Sequence, residues 1–184
     1  MLETQRLILR LFTEYDKDAF AKLNACSNVC RYFPKKLNKN ESDYLADKII
    51  KQFYSNGFGL WAVQRKDNNK FIGFTGLNIP DFEANFMPAI EIGWRLSYND
   101  WGQGFATEAA IAARDYAFND LSFNEIVSFT TKNNEASRKV MHKIGMSHNQ
   151  EDDFYHPKLN PDSLLSYHVL YRLNKEQYYN NKLV

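Results

Sequence analysis

Apolar and polar positions first alternate with a period of two, over Arg6 to Leu11, where Leu7, Leu9 and Leu11 interleave with Arg6, Ile8 and Arg10. The period then lengthens to that of a helix. Ala19, Phe20 and Leu23 share a face of a helix opened by Asp16. Leu45, Ile49 and Phe53 mark a second helix, begun by Asn38 and Glu41 at capping-box spacing and reaching about Tyr54. Between the two, Asn28 to Pro34 interrupts the pattern and sets Tyr32 and Phe33 ahead of a proline, suited to a pocket wall or to core packing. Gly57 and Gly59 release the chain into strands over Leu60 to Gln64 and Phe71 to Ile79, joined by the turn Lys66-Asp67-Asn68-Asn69 as a hairpin. A loop from Pro80 to Pro88 holds Phe82, Phe86 and Met87, which either meet a substrate or fold back over the sheet.

A third strand of the meander, Ala89 to Leu96, precedes the stretch that organises the rest. Asn99-Asp100 turns the chain, Gly102-Gln103-Gly104 follows, and a helix opens at once, with Ala106, Ala110, Ala113, Ala117 and Leu121 on a small-residue face. Glu125 to Thr130 is a fifth strand, reached by that helical crossover and so parallel to Ala89–Leu96. Asn134 caps a further helix with Val140, Met141 and Ile144 inward and Gly145 as its stop. Leu165 to Leu173 is the last strand, and 174–184 reads as a peripheral tail. The class expected is α+β, one domain over 1–184 built on a mixed sheet.

Composition narrows the partners. With 44% hydrophobic and 24% charged residues the chain is an ordinary folded protein, and a formal charge of +1 gives no reason to expect nucleic acid or an anionic membrane. The opening MLETQRLILR has no uninterrupted apolar core of a signal peptide, and no run approaches the roughly 20 residues of a spanning helix, so a cytoplasmic location is expected. Cys26 and Cys30 have no second pair and no nearby histidine; they read as small hydrophobes, and no metal site is expected.

The glycine turn is the strongest chemical signal. A strand, a glycine loop and a helix start in that order gather unpaired backbone N–H groups at the positive end of a helix, where phosphate oxygens bind. It lacks the Lys-Ser or Lys-Thr of a nucleotide triphosphate loop and the third glycine of a dinucleotide fingerprint, which disfavours phosphoryl and hydride transfer. A plain surface turn is the competing reading. Glu91, an ionisable residue inside the apolar run AIEIGW, is a candidate base whose partial burial would raise its pKa; pairing with an arginine or with backbone donors is the competing structural reading. Glu108 sits in a first helical turn, where a carboxylate stabilises without catalysing. No Ser-His-Asp arrangement assembles, and neither cysteine lies in a nucleophile motif.

Four segments, TQRLILRLFTEYD, IEIGWRLSYNDWGQGFATEA, NNEASRKVMHKIGM and HVLYRL, resemble the GNAT acyltransferases, and within them the RimJ/RimL-type N-acetyltransferases. Together they cover about Thr4 to Leu173. The resemblance implies a GNAT-like fold with a splayed central sheet and acetyl-CoA as cofactor, its pyrophosphate on Gly102, Gln103, Gly104, Phe105, Ala106 and Thr107, with Trp101 where Arg or Gln is common. Trp94 and Leu96 are further expected at the cofactor, the resemblance places Asn134 and Ser137 by the pantetheine arm, and Ser137 joins Glu91, read above as the candidate base, as the expected catalytic pair. Met141 stands where many relatives carry a proton-donating tyrosine; Ser137, Tyr155, Tyr167 and His168 are the remaining candidate donors. The implied acceptor is a protein N-terminal amine, with a small-molecule amine as the alternative and a non-catalytic acyl-CoA-binding module as the rival; a homodimer is compatible. Tyr32, Phe33 and the loops Phe82–Met87 and Glu151–Pro161 would flank the acceptor opening, where Glu151, Asp152 and Asp153 would attract a protonated amine or merely solubilise a loop.

Overall fold

The computed structural model describes residues 1–180, which divide into two compact units. The first comprises 1–78 and 93–113. Strands β1 (Leu2–Glu3) and β2 (Leu7–Arg10) pair antiparallel, with Leu7 and Leu9 fully buried; Leu11 lies beyond β2 and is exposed. Helix α1 (Lys17–Ala25) buries Phe20 and Leu23. Helix α2 (Lys39–Asn56) starts on the expected capping box: the Asn38 side chain accepts from Glu41 N while the Glu41 carboxylate accepts from Asn38 N, both at 2.9 Å. Its end is set by Gly57 in the left-handed conformation.

Strands β3 (Leu60–Arg65) and β4 (Phe71–Asn78) form the expected hairpin, with a register shift at Val63/Gln64. The part of strand β5 (Glu91–Leu96) that belongs to this unit, Gly93 to Leu96, lies against β4, where Thr75 Oγ1 donates to Gly93 O at 3.1 Å and Ser97 N to Ile72 O at 2.7 Å. Phe12, Phe20, Phe74, Ile49 and Ala62 pack between the helices and this sheet. Phe12 meets Phe20 edge-on at 5.4 Å between ring centres.

Helix α3 (Phe105–Asn119) gives 105–113 to the first unit and its remainder to the second, which comprises 79–92 and 114–180 among the described residues. Of the expected small-residue face, Ala110, Ala113 and Ala117 are fully buried, with Ala109 beside them; Ala106 is half-buried, and the helix stops before Leu121. Strand β6 (Glu125–Thr131) runs parallel to β5 through the single register pair Glu91↔Val127, with Val127 N donating to Ile90 O at 2.8 Å. The sheet is therefore mixed and not fully closed. Helix α4 (Glu135–Lys143) buries Met141, and Gly145 takes the left-handed conformation just after it.

Like β1, two further short strands are absent from the sequence-based expectation: β7 (Ser147–His148) and β8 (Phe154–Tyr155) pair antiparallel with β9 (Tyr167–Asn174), which also pairs along β6. At two residues each, they carry too little alternation to register as a pattern. Of the tail expected over 174–184, residues 181–184 lie outside the described ones. Its nearer part forms α5 (Lys175–Asn180), where Tyr178 is 2% exposed, stacks on Phe118 at 4.5 Å and meets Asn119 Nδ2 through its hydroxyl at 2.9 Å.

Candidate active site

In the first unit the glycine turn has the backbone that the sequence demands. Gly102 and Gly104 have φ of 75° and 83°, the left-handed region that a side chain penalises, and a Cβ on Gly102 would find no atom within 4 Å. The turn is solvent-exposed. The first helical bond of α3 runs from Glu108 N to Gly104 O at 3.0 Å, so the N–H groups of Phe105, Ala106 and Thr107 have no acceptor within the helix. Open space, two glycines and three first-turn donors fit an anionic diphosphate.

A clamp that sequence reasoning missed holds this turn. Arg6 Nη1 donates to Gln103 O at 2.9 Å, and Arg6 Nε meets Glu108 Oε2 at 2.6 Å. Glu108 Oε1 accepts from Thr4 Oγ1 at 2.6 Å and from Arg6 N at 2.8 Å. Burial pushes the Glu108 carboxyl upward, but the Thr4 and Arg6 hydrogen bonds outweigh it and hold the pKa below the ordinary glutamate value. The guanidinium carbons of Arg6 and Arg65 lie 4.5 and 4.9 Å from the centre of the Phe105 ring. Nothing in the local sequence pairs Thr4 and Arg6 with a residue a hundred positions on.

Trp101 is turned to solvent at 41% exposure, while its indole N–H donates to Leu96 O at 2.9 Å. The Leu96 carbonyl thus already accepts a hydrogen bond, and its main-chain N–H is not involved in that contact. Trp94 is half-buried on the same strand.

In the second unit, Glu91 is half-buried at the start of β5, opposite Val127 of β6. Asn134 caps α4 with its side chain: Oδ1 accepts from Ser137 N at 3.3 Å, and Nδ2 donates to Thr130 Oγ1 at 2.9 Å and to Ser137 Oγ at 3.2 Å. Ser137 therefore accepts and retains a hydrogen to donate. Met141, at 1% exposure, is a core residue.

The other candidates sort by their partners. Phe82 and Phe86 fold back onto Phe129 and Phe154, with ring centres 4.9–6.2 Å apart, so the loop carries packing rather than free aromatics. His156 and His168 join the same cluster, and burial lowers the pKa of both, leaving neutral rings at physiological pH. Asp152 is bound by Arg172 Nε at 2.9 Å, and Asp153 by His148 Nε2 at 2.7 Å, Tyr167 Oη at 3.1 Å and Leu170 N at 3.2 Å. The acidic loop is thus held by structural pairs, with Glu151 left exposed. Tyr155 is 65% exposed. Cys30 donates its thiol to Asn24 O at 3.1 Å, and burial raises its pKa, as befits a small interior group. No cluster suited to a metal ion and no helix long and apolar enough to cross a membrane occurs among the described residues.

Over residues 6–147 the chain matches the acetyltransferase (GNAT) domain. It is 32% identical over 149 residues to the uncharacterized N-acetyltransferase YoaA of Bacillus subtilis (strain 168), covering 79% of this chain and 81% of that one. A GNAT-family acetyltransferase structure from Bacillus anthracis superposes with a TM-score of 0.77 at 22% identity, covering 95% and 98% of the two chains. The ribosomal-protein-S5-alanine acetyltransferase of Vibrio fischeri gives 0.75 at 17% identity, covering 96% and 97%; at such identities the likeness is one of fold.

Proposed function

The chain belongs to the GNAT acetyltransferase family, and from that premise we propose that it moves an acetyl group from acetyl-CoA to a primary amine, foremost the α-amine of a protein N-terminus. The observation that carries the reading is the exposed mouth of α3, with left-handed Gly102 and Gly104 ahead of the donors of Phe105, Ala106 and Thr107. The RimJ/RimL-type resemblance supports the α-amine; a small-molecule amine remains the second acceptor class.

Acetyl-CoA supplies an activated thioester, and the remaining work falls to the chain. Residues 102–107 hold the diphosphate through main-chain N–H groups, with Thr107 adding a hydroxyl. Main-chain groups of Trp94 and Leu96 orient the acyl arm, and Asn134 and Ser137 flank its pantetheine part. Glu91 takes the proton that the amine must lose before its nitrogen bonds to the acyl carbon, directly or through one water. As that bond forms and the carbon–sulfur bond breaks, the nitrogen gives up its second proton and the coenzyme leaves as the thiol; we assign Ser137 Oγ–H to hydrogen-bond the departing sulfur, since Met141 has no proton to give.

Release of free thiol from acetyl-CoA, with the acetylated product confirmed by mass, tests the reading across N-terminal peptides, polyamines and aminoglycosides. Tight coenzyme binding without turnover on any of them would favour a non-catalytic acyl-CoA-binding module. Failure of coenzyme A to raise the melting temperature would remove the coenzyme site itself.

A further inference from the structure

Arg95, on β5 within the first unit, is a cation without a counter-charge. Its Nη1 donates to Asn24 Oδ1 at 2.6 Å, and no carboxylate pairs with it among the described residues. Nε is sealed from solvent and has no acceptor, whereas Nη2 makes no protein hydrogen bond and is not sealed. The guanidinium carbon lies 3.9 Å from the centre of the Phe33 ring and 5.4 Å from that of Phe74. The contrast with Arg10 is direct. Arg10 also reaches inward from a strand, and both of its terminal nitrogens meet Asp16 at 2.7 Å.

The support beneath Arg95 is built. Asn24 is fully buried, and its Nδ2 donates to Ser42 Oγ, also fully buried, at 2.9 Å. The guanidinium can only donate, so the amide oxygen is the atom that faces it, and the Nδ2 bond to Ser42 holds the amide in that orientation. An aspartate in place of Asn24 would hold Arg95 just as well and cancel its charge; the neutral amide orients it and leaves the charge standing. Burial lowers the Arg95 pKa to about 10, a small opposing effect coming from Cys30, so the group stays protonated at neutral pH. The two donors left over, Nε–H and Nη2–H, share one edge of the guanidinium plane and form the fork that a carboxylate accepts side-on.

We propose that Arg95, oriented by Asn24 and Ser42, is a recognition subsite for a carboxylate carried by the amine acceptor. The subsite lies under Phe33, one of the two aromatics expected at the acceptor opening, and Phe33 is itself 39% exposed. Because Nε is sealed from solvent, an oxyanion engages Nη2 first and reaches Nε only as the surrounding groups move. This assignment deepens the acetyl-transfer reading and rests on it for the word acceptor. The carboxylate has two sources, the α-carboxylate of a small amino acid or an acidic side chain near a peptide's N-terminus.

The test begins with the unmodified protein, in melting-temperature titrations with succinate and with succinamide at matched ionic strength. Succinate raises the melting temperature and succinamide does not; Arg95→Lys, which keeps the charge but loses the fork, and Arg95→Gln both abolish the difference. Acetyl transfer is then compared for alanine against alaninamide, and for tripeptide amides beginning Ala-Asp against Ala-Asn. One pair shows a preference of about ten-fold or more in kcat/KM for the carboxylate, carried by KM and lost in the Arg95 variants while acetyl-CoA affinity holds. The pair that responds identifies the source.

Equal effects of succinate and succinamide on the unmodified protein overturn the subsite, even if neither variant folds. So does transfer that is indifferent to the carboxylate in both pairs, which leaves the acetyltransferase reading standing. Specific succinate binding with no transfer to any amine does the reverse.

Discussion

Arg6 and Glu108 meet at 2.6 Å although they lie 102 positions apart, and the same guanidinium holds the carbonyl of Gln103. The approach to β2 is thereby tied to the mouth of α3, so the glycine turn is fixed from outside the helix as well as by its own backbone. The glutamate of that first turn acts as an anchor for a turn whose Phe105, Ala106 and Thr107 N–H groups have no acceptor within the helix.

Glu108→Gln tests the anchor through pH. The folded carboxyl is held below its ordinary value, so its ionic contribution is complete above the unfolded pKa of about 4.3 and is lost as pH falls through the lower folded value. The melting-temperature gap between the unmodified protein and the variant is expected to be open at pH 7, worth about 1 kcal/mol after allowance for the exposure of Arg6, and to close in strong acid. A gap that is independent of pH would show that packing, not charge, anchors the turn.

Glu91→Gln is expected to lower acetyl transfer by about 10²-fold or more, the usual worth of a general base, while calorimetric affinity for acetyl-CoA is kept. Unchanged turnover across the pH range would assign Glu91 a structural role at its pairing with Val127.

Gly102→Ala isolates the backbone. A methyl there strikes nothing, so the cost is that of the left-handed conformation alone, about 1 kcal/mol. Coenzyme affinity should fall a few-fold as the turn relaxes, measured by calorimetry; a variant that binds as before would show that the turn's shape is not what the diphosphate reads.

Asn134→Ala removes a cap with three hydrogen bonds and should cost about 1 kcal/mol. Ser137→Ala, which keeps the main-chain donor to the cap, should leave stability nearly unchanged and lower kcat with little effect on acetyl-CoA affinity. A Ser137 variant of full activity would mean that the sulfur departs without help from this hydroxyl.

Tyr178→Ala should cost about 3 kcal/mol in chemical denaturation, the loss of a large buried ring, because α5 sets that ring on Phe118. A loss well under 1 kcal/mol would return the segment to the periphery.

What the sequence made legible follows from the range over which each signal acts. The Asn38–Glu41 box, the hairpin, the helix after the glycines and the Asn134 cap are local: spacing alone specifies them, and they were read within a few residues. The conformations of Gly102 and Gly104 were legible for the same reason. The Thr4–Arg6–Glu108 clamp and the Ser42–Asn24–Arg95 relay depend on which distant strands and helices lie side by side, and hydrophobic periodicity does not encode the partner of a charge. The acidic loop shows the same limit from the side of the carboxylates. Asp152 and Asp153 look available in one dimension, yet Arg172, His148 and Tyr167 arrive from β7 and β9 to occupy them. Tyr178 was lost because its run is polar on either side and too short to show a face.

Phe105 lies beside two guanidinium groups, but both are already satisfied, Arg6 by Glu108 and Arg65 by Asp100 at 2.9 Å. A loop flanked by cations yet locally near-neutral gives little long-range attraction to a polyanion. Capture of the coenzyme at this mouth should therefore change little between dilute buffer and several hundred millimolar salt, and its on-rate should be that of an unsteered encounter.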